Sequence, residues 1–233
     1  MDNLLNVTEL AVEYADGTRA LENVSFSVNE GENTAVIGAN GAGKTSLLLA
    51  LVGILQAKHG EIRFGETVLD RKNLRMIRSR VGMVFQNPDD QLFMPNISED
   101  VAFGPRSFGY DEEETARRVK AALSVLGIEH LAGRSPLKLS GGEKRLAAIS
   151  TVLAMEPDIL LLDEPTAFLD PRAKRNLAAI LAQLPHSKLI ATHDLIFAEE
   201  MCTRVLLLQN GSLVADASAE LLHDKQSLEA AGL

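Results

Sequence analysis

Eight consecutive residues, Gly38-Ala39-Asn40-Gly41-Ala42-Gly43-Lys44-Thr45, fit the pattern G-x-x-x-x-G-K-S/T, and their flanks constrain the fold more than any other feature of the chain. The apolar run Thr34 to Ile37 before them is of strand type, and Thr45 to Val52 after them is rich in helix formers. A strand that enters a helix through a glycine-rich turn aims backbone N–H groups, and the positive end of the helix dipole, at one point in space. That is a cradle for phosphate. Lys44 adds a full positive charge, Thr45 offers a hydroxyl to Mg²⁺, and Ser46 continues the same helical start.

The rest of the chain supplies a setting for this unit. Val81 to Phe85, Ile159 to Leu162, Leu189 to Ala191 and Val205 to Leu208 are continuously apolar runs separated by helical stretches, as expected of a parallel sheet buried on both faces. Val7 to Tyr14 and Val24 to Val28 alternate instead, with Asp16-Gly17 between them as a hairpin signal, so the N-terminus reads as antiparallel strands. Asn210-Gly211 predicts one last hairpin, to Leu213-Val214, and the tail after Ala217 reads as a short helix. Between Gln86 and Met155 the pattern changes to a Pro- and Gly-rich passage followed by helices over Asp111 to Leu126 and Glu143 to Ala154, an inserted helical lobe.

Composition removes several function classes. The formal charge is −9, from 32 acidic against 23 basic side chains, which disfavours a nucleic-acid backbone as partner. The single cysteine, Cys202, forms no disulfide within the chain and reads as a buried, inert thiol in a reducing compartment. The longest apolar stretch, Leu47 to Leu55, is about half of the ~20 residues that a membrane span needs, and Met1-Asp2-Asn3 lacks a signal peptide's positive region. The chain is therefore expected neither to cross the membrane nor to leave the cell. His59, His130, His186, His193 and His223 show no metal-ligand spacing.

Further motifs gain meaning from their order. Ile159-Leu160-Leu161-Leu162-Asp163-Glu164 delivers two carboxylates to the C-terminal end of a buried strand, where ligands of open α/β sheets bind. Asp163 is placed to hold Mg²⁺, and Glu164 to orient or deprotonate an attacking water. Leu139-Ser140-Gly141-Gly142-Glu143 fits the S-x-x-E capping box, and its paired glycines also leave a helix N-terminus bare enough for a second phosphate contact. Taken singly, His193, Gln86 and Tyr14 are as compatible with packing or solvated roles as with chemistry.

Together, Tyr14, Gly38 to Thr45, Gln86, Leu139 to Glu143, Asp163-Glu164, Leu169-Asp170 and His193 resemble the nucleotide-binding subunits of ATP-binding cassette (ABC) transporters, over about nine tenths of the chain. The resemblance implies an α/β fold: a P-loop NTPase core with a mainly parallel sheet, an N-terminal antiparallel β subdomain and an inserted α-helical subdomain. One domain is expected over 1–233, with the core at about 1–85 and 156–233 and the helical subdomain at about 86–155. ATP and Mg²⁺ are the implied cofactors. Lys44, Gln86, Glu164 and His193 are implied as catalytic, and Thr45, Gln86 and Asp163 as metal-binding. Tyr14, Gly38, Ala39, Asn40, Gly41, Ala42, Gly43, Lys44, Thr45 and Ser46 are implied to hold the nucleotide. Leu139, Ser140, Gly141, Gly142 and Glu143 are implied to close over ATP held by a second copy of the chain, with Leu169 and Asp170 linking the two sites.

Gln86-Asn87-Pro88-Asp89-Asp90-Gln91-Leu92-Phe93 and Glu99-Asp100-Val101-Ala102-Phe103-Gly104-Pro105 are similar, more narrowly, to the ATPase of energy-coupling factor (ECF) importers. This implies a homodimer on the cytoplasmic face of the membrane. It would grip coupling helices of a transmembrane scaffold near Gln86 to Phe93, alongside a separate substrate-binding membrane subunit, with cobalt or nickel favoured over a vitamin as cargo. Asp89 and Asp90 either pair with arginines on those helices or form a solvated acidic turn. Two positions depart from the family: Glu143 stands where many relatives have glutamine, and Phe168 lies in a segment of usually small residues. The tail after Val214 is expected to carry no accessory regulatory domain. Competing classes are a non-transport ABC ATPase, which usually carries coiled-coil insertions or two cassettes, and a small-molecule kinase, which has no use for Leu139 to Glu143 or His193.

Overall fold

The computed structural model describes residues 3–233. Two sheets form because two kinds of sequence pattern coexist. The alternating N-terminal segments give β1 (Asn3–Glu13) and β2 (Arg19–Asn29), paired antiparallel with β1 at the centre. Only one face of these strands is apolar, and Leu5, Val7, Leu10, Val24 and Val28 bury it. The apolar runs give β3 (Asn33–Ile37), followed by α1 (Lys44–Leu51).

The four-stranded sheet, in order β2-β1-β4-β5, is completed by β4 (Ala57–Phe64) and β5 (Thr67–Val68), which lead to α2 (Leu74–Arg80). The first half of β4 is exposed and charged, so its sequence carries no burial pattern to read. The remaining strands are β6 (Val81–Val84), β7 (Ile159–Asp163), β8 (Ser187–Ala191), β9 (Arg204–Gln209) and β10 (Ser212–Ser218). With β3 they form a six-stranded sheet in the order β10-β9-β3-β8-β7-β6, parallel throughout except for the β9-β10 hairpin. The same carboxyl edge therefore receives the ends of β3, β6, β7 and β8.

Alternation along each buried strand divides the core in two. Ile159, Leu161, Leu189 and Leu206 face α1 and the N-terminal sheet, whereas Leu160, Leu162, Ile190 and Leu207 face the helices on the other side. Those helices are α3 (Ile97–Phe108), α4 (Glu112–Val125), α5 (Gly141–Leu153), α6 (Pro171–Gln183) and α7 (Leu195–Met201), and α8 (Lys225–Ala230) closes the chain after a 3₁₀ turn at Ala219–His223. The passage before Asp111, read from its Pro and Gly as irregular, contains α3. Ile97, Val101, Ala102 and Pro105 form its buried stripe, and packing of that stripe outweighs the helix-breaking preference of Pro105 in the last turns. No helix among the described residues is long and apolar enough to cross a membrane.

Candidate nucleotide site

The loop between β3 and α1 is tight for steric reasons. A Cβ on Gly38 would lie 2.3 Å from the Leu208 carbonyl oxygen, and one on Gly43, at φ +106°, would lie 2.8 Å from that of Ala20. With side chains absent there, the loop wraps back and α1 starts directly at Lys44. Lys44 is 6% exposed, and its Nζ donates to the carbonyl oxygens of Gly38 (2.7 Å) and Ala39 (3.2 Å) while standing 3.8 Å from Glu164 Oε1. Burial lowers its pKa, opposed by the charges of Glu164 and Asp163. The ammonium is thus folded against its own loop, beside an open cleft.

Strand β7 ends on the two carboxylates, at 2% and 5% exposure for Asp163 and Glu164. Thr45 Oγ1 donates to Asp163 Oδ1 at 3.2 Å, so the hydroxyl and the carboxylate share one spot at the start of α1. Burial raises the Asp163 pKa, Thr45 working against it. A buried carboxylate beside a hydroxyl is a hard oxygen donor set that suits Mg²⁺. That ion is usually held by one or two protein ligands plus phosphate rather than by an all-protein cage. No cluster of three His, Cys, Asp or Glu able to hold a metal occurs among the described residues.

Glu164 sits at φ +43°, an uncommon backbone for a non-glycine residue, with its N–H bonded to the Ala191 oxygen at 2.8 Å. This twist turns its carboxylate back to the end of β8. There Oε2 accepts from Thr192 Oγ1 (3.2 Å) and the His193 N–H (3.3 Å) and lies 2.9 Å from His193 Nδ1. Tyr14, from the end of β1, donates to or accepts from Ser46 Oγ at 2.7 Å.

Tyr14, Lys44 to Ser46, Glu164 and His193 line a cleft of 720 Å³ along the carboxyl edge of the sheet, which also takes in Asn40, Gly41, Gly43, Gln86 and Leu169, whereas Gly38, Ala39, Ala42 and Asp163 do not line it. The sequence-predicted residues Tyr14, Asn40, Gly41, Gly43 to Ser46, Gln86, Glu164, Leu169 and His193 are therefore brought together. Thr18, Arg19, Lys174 and Asp194 line the same cleft and were not anticipated. Lys174 and Asp194 form an ion pair at 2.6 Å, with Thr166 Oγ1 donating to the same carboxylate at 3.3 Å. Such a pair between distant segments has no local sequence signal.

Leu139 to Glu143 do not line this cleft. Ser140 caps α5: its N–H and hydroxyl donate to Glu143 Oε2 at 2.8 and 2.7 Å, and its Oγ accepts from the Glu143 N–H at 3.4 Å. Those bonds from Ser140 lower the Glu143 pKa. Gly142 and Glu143 border a separate depression with Leu169 and Ala173. Asp170 caps α6 by accepting from the N–H groups of Arg172 and Ala173 at 2.8 and 2.9 Å. Phe168, before it, is 88% exposed at φ +62°. Of the two aspartates expected to face a partner, Asp89 is engaged within the chain by Lys144 at 2.6 Å, while Asp90 accepts from Asn87 Nδ2 at 3.3 Å.

Comparison with known proteins gives the same outline. A family model described as ABC transporter matches residues 21–167. The energy-coupling factor transporter ATP-binding protein EcfA of Carboxydothermus hydrogenoformans is 44% identical over 100% of this chain and 87% of its own. Among solved structures, cbiO1 of Clostridium perfringens, part of the ABC transporter complex cbiONQ, superposes with a TM-score of 0.87 at 37% identity, covering 97% of this chain and 92% of that one. A dimeric post-hydrolysis structure of the ATP-binding cassette MJ0796, bound to ADP and Pi, gives 0.81 at 25% identity over 92% and 98%.

Proposed function

The chain belongs to the ABC transporter ATP-binding family, and on that premise we propose that it is the ATPase of an ECF-type importer, closing as a homodimer over ATP to drive uptake of cobalt or nickel. The carrying observation is the separation of two anion-directed helix ends. Lys44 and the start of α1 lie in the 720 Å³ cleft, whereas the start of α5 at Gly141, capped by Ser140 and Glu143, lies outside it. A second copy would bring its Ser140, Gly141 and Gly142 over the first copy's nucleotide, with Leu169 and Asp170 between the two sites. The dimeric cassette MJ0796 supports this reading.

In this reading 1–233 is one ABC ATPase domain, its helical subdomain at about 86–155. Backbone N–H groups of Gly38 to Ser46 at the start of α1 bind phosphate, Lys44 swings from the Gly38 carbonyl to the anion, and Tyr14 flanks the base. Thr45, Asp163 and Gln86 would hold Mg²⁺, which would supply neutralisation of charge on the phosphate oxygens. Glu164 accepts the proton of the attacking water, and His193 holds that carboxylate from the other side. Phosphoryl transfer needs positioning and electrostatic stabilisation above all, so a site completed only by closure ties the chemistry to a movement. The exposed edge-to-face pair Phe93 and Phe103, with centroids 5.0 Å apart at the end of the Gln86 to Phe93 segment, supports a protein scaffold as partner; in this reading the scaffold spans the membrane and the chain sits at its cytoplasmic face.

The test is uptake. Cells that express this chain with its membrane partners should accumulate radiolabelled Co²⁺ or Ni²⁺ in an ATP-dependent manner that Lys44→Ala abolishes. Accumulation of a vitamin instead would overturn the metal assignment, and membrane-free association with nucleic acid would overturn the transport role.

A further inference from the structure

Arg145 is a buried cation that the chemistry above leaves unused. It lies in the second turn of α5, five residues beyond Ser140, and is 1% exposed. Burying a guanidinium is costly unless its donors are answered. Burial indeed pulls its pKa down to about 10, with Asp163 opposing. What answers it are two backbone oxygens: Nη1 donates to Phe85 O at 2.7 Å and Nη2 to Gln86 O at 2.6 Å. Its Nε has no partner in the structure. A flat fork spanning two successive carbonyls fixes their peptide planes, and those planes decide where the Gln86 side chain enters the cleft.

The same helix grips the same segment twice more. Gln91 Nε2 donates to Ala148 O at 2.8 Å and to Thr151 Oγ1 at 2.7 Å, while Gln91 Oε1 accepts the Phe85 N–H at 3.2 Å. Lys144 pairs with Asp89 one residue before Arg145. Residues 85–91 are thus clamped along one face of α5.

We propose that Arg145 is a positioning residue that fixes the Gln86 backbone to α5, so that Gln86 and the Ser140-Gly141-Gly142 segment at the head of that helix move as one body. This rests on the reading of Gln86 as the group that addresses Mg²⁺ and the attacking water. A push on residues 87–93 from a membrane partner then repositions Gln86 in one chain's cleft and the helix end offered to the other cleft together. A loop in which Gln86 swings independently of α5 is the alternative.

The experiment measures kcat, KM and fluorescent-nucleotide affinity on the full chain. Arg145→Lys keeps the charge but cannot span both carbonyls, and should lower kcat about tenfold or more with KM and nucleotide affinity unchanged. Combined with Gln86→Ala it should be no slower than Gln86→Ala alone, because both variants remove the same placement. Gln91→Ala loosens the clamp from the other side, should behave likewise, and serves if Arg145→Lys melts early. Losses that add in the double variants overturn the clamp while leaving the role of Gln86 intact. Full turnover in Gln86→Ala overturns the reading of Gln86 itself, and the proposal with it.

Discussion

Glu164 is defined by what holds it: a backbone at φ +43°, Thr192 and His193 on one carboxylate oxygen, and Lys44 near the other. Glu164→Gln preserves the shape of that arrangement and removes only the ability to take a proton. Turnover should fall about a hundredfold or more while ATP is still bound, and an ATP-held dimer should accumulate. Phosphate release and size-exclusion chromatography with ATP and Mg²⁺ check both outcomes, and unchanged turnover would remove Glu164 as the base. Much of the site was legible at this scale, because Gly38 to Thr45 and Asp163-Glu164 are contiguous and each motif contains its own chemistry. Thr192, Lys174 and Asp194 were not, since their roles exist only once β7 and β8 are neighbours. The contact between the exposed Asp89 and Lys144 was not legible either, because the two lie 55 residues apart in sequence.

At the scale of elements, the helical lobe is sewn together by charge. Arg106 on α3 pairs with Glu99 and Glu112, and Arg117 and Arg118 on α4 pair with Glu114 and with Glu156 beyond α5. Arg118 also donates to the Ala154 carbonyl at 3.2 Å and stacks 4.2 Å over the Tyr110 ring. Hydrogen bonds from Arg117, and then Arg118, take the Glu114 pKa from an ordinary 4.5 down to about 2. A carboxylate whose folded pKa is depressed contributes stability above its unfolded value and loses it as pH falls through the folded one. Glu114→Gln should therefore melt earlier than the parent at neutral pH, with the gap narrowing from pH 4.5 towards 2. Melting curves across that range decide it, and a gap independent of pH would refute the ionic explanation. Long, strongly patterned elements such as α4 and β7 could be read in advance. Helix α3 could not, because Gly104 and Pro105 argue locally against a helix that Ile97, Val101 and Ala102 stabilise only by packing on α4 and α5.

For the whole molecule, the placement of Ser140 outside the cleft that holds Lys44 makes a prediction that no single chain can satisfy. Lys44→Ala and Ser140→Arg preparations should each be inactive. Mixed, they should recover about half the parent activity per heterodimer, and so about a quarter in a statistical mixture, because one of the two composite sites of a heterodimer is intact. Absence of any recovery would mean that each chain contains a complete site. The parallel core was legible as a set of apolar runs, since burial on both faces leaves no other pattern. The cargo was not, because on the proposed reading the groups that select it lie in other polypeptides. The chain's lone thiol has a practical corollary: Cys202 is 4% exposed and its pKa is pushed up to about 12 by burial. It is therefore nearly inert to maleimides. A fluorophore on one introduced cysteine will report alone, and the approach of two subunits can be timed by energy transfer in the otherwise natural sequence.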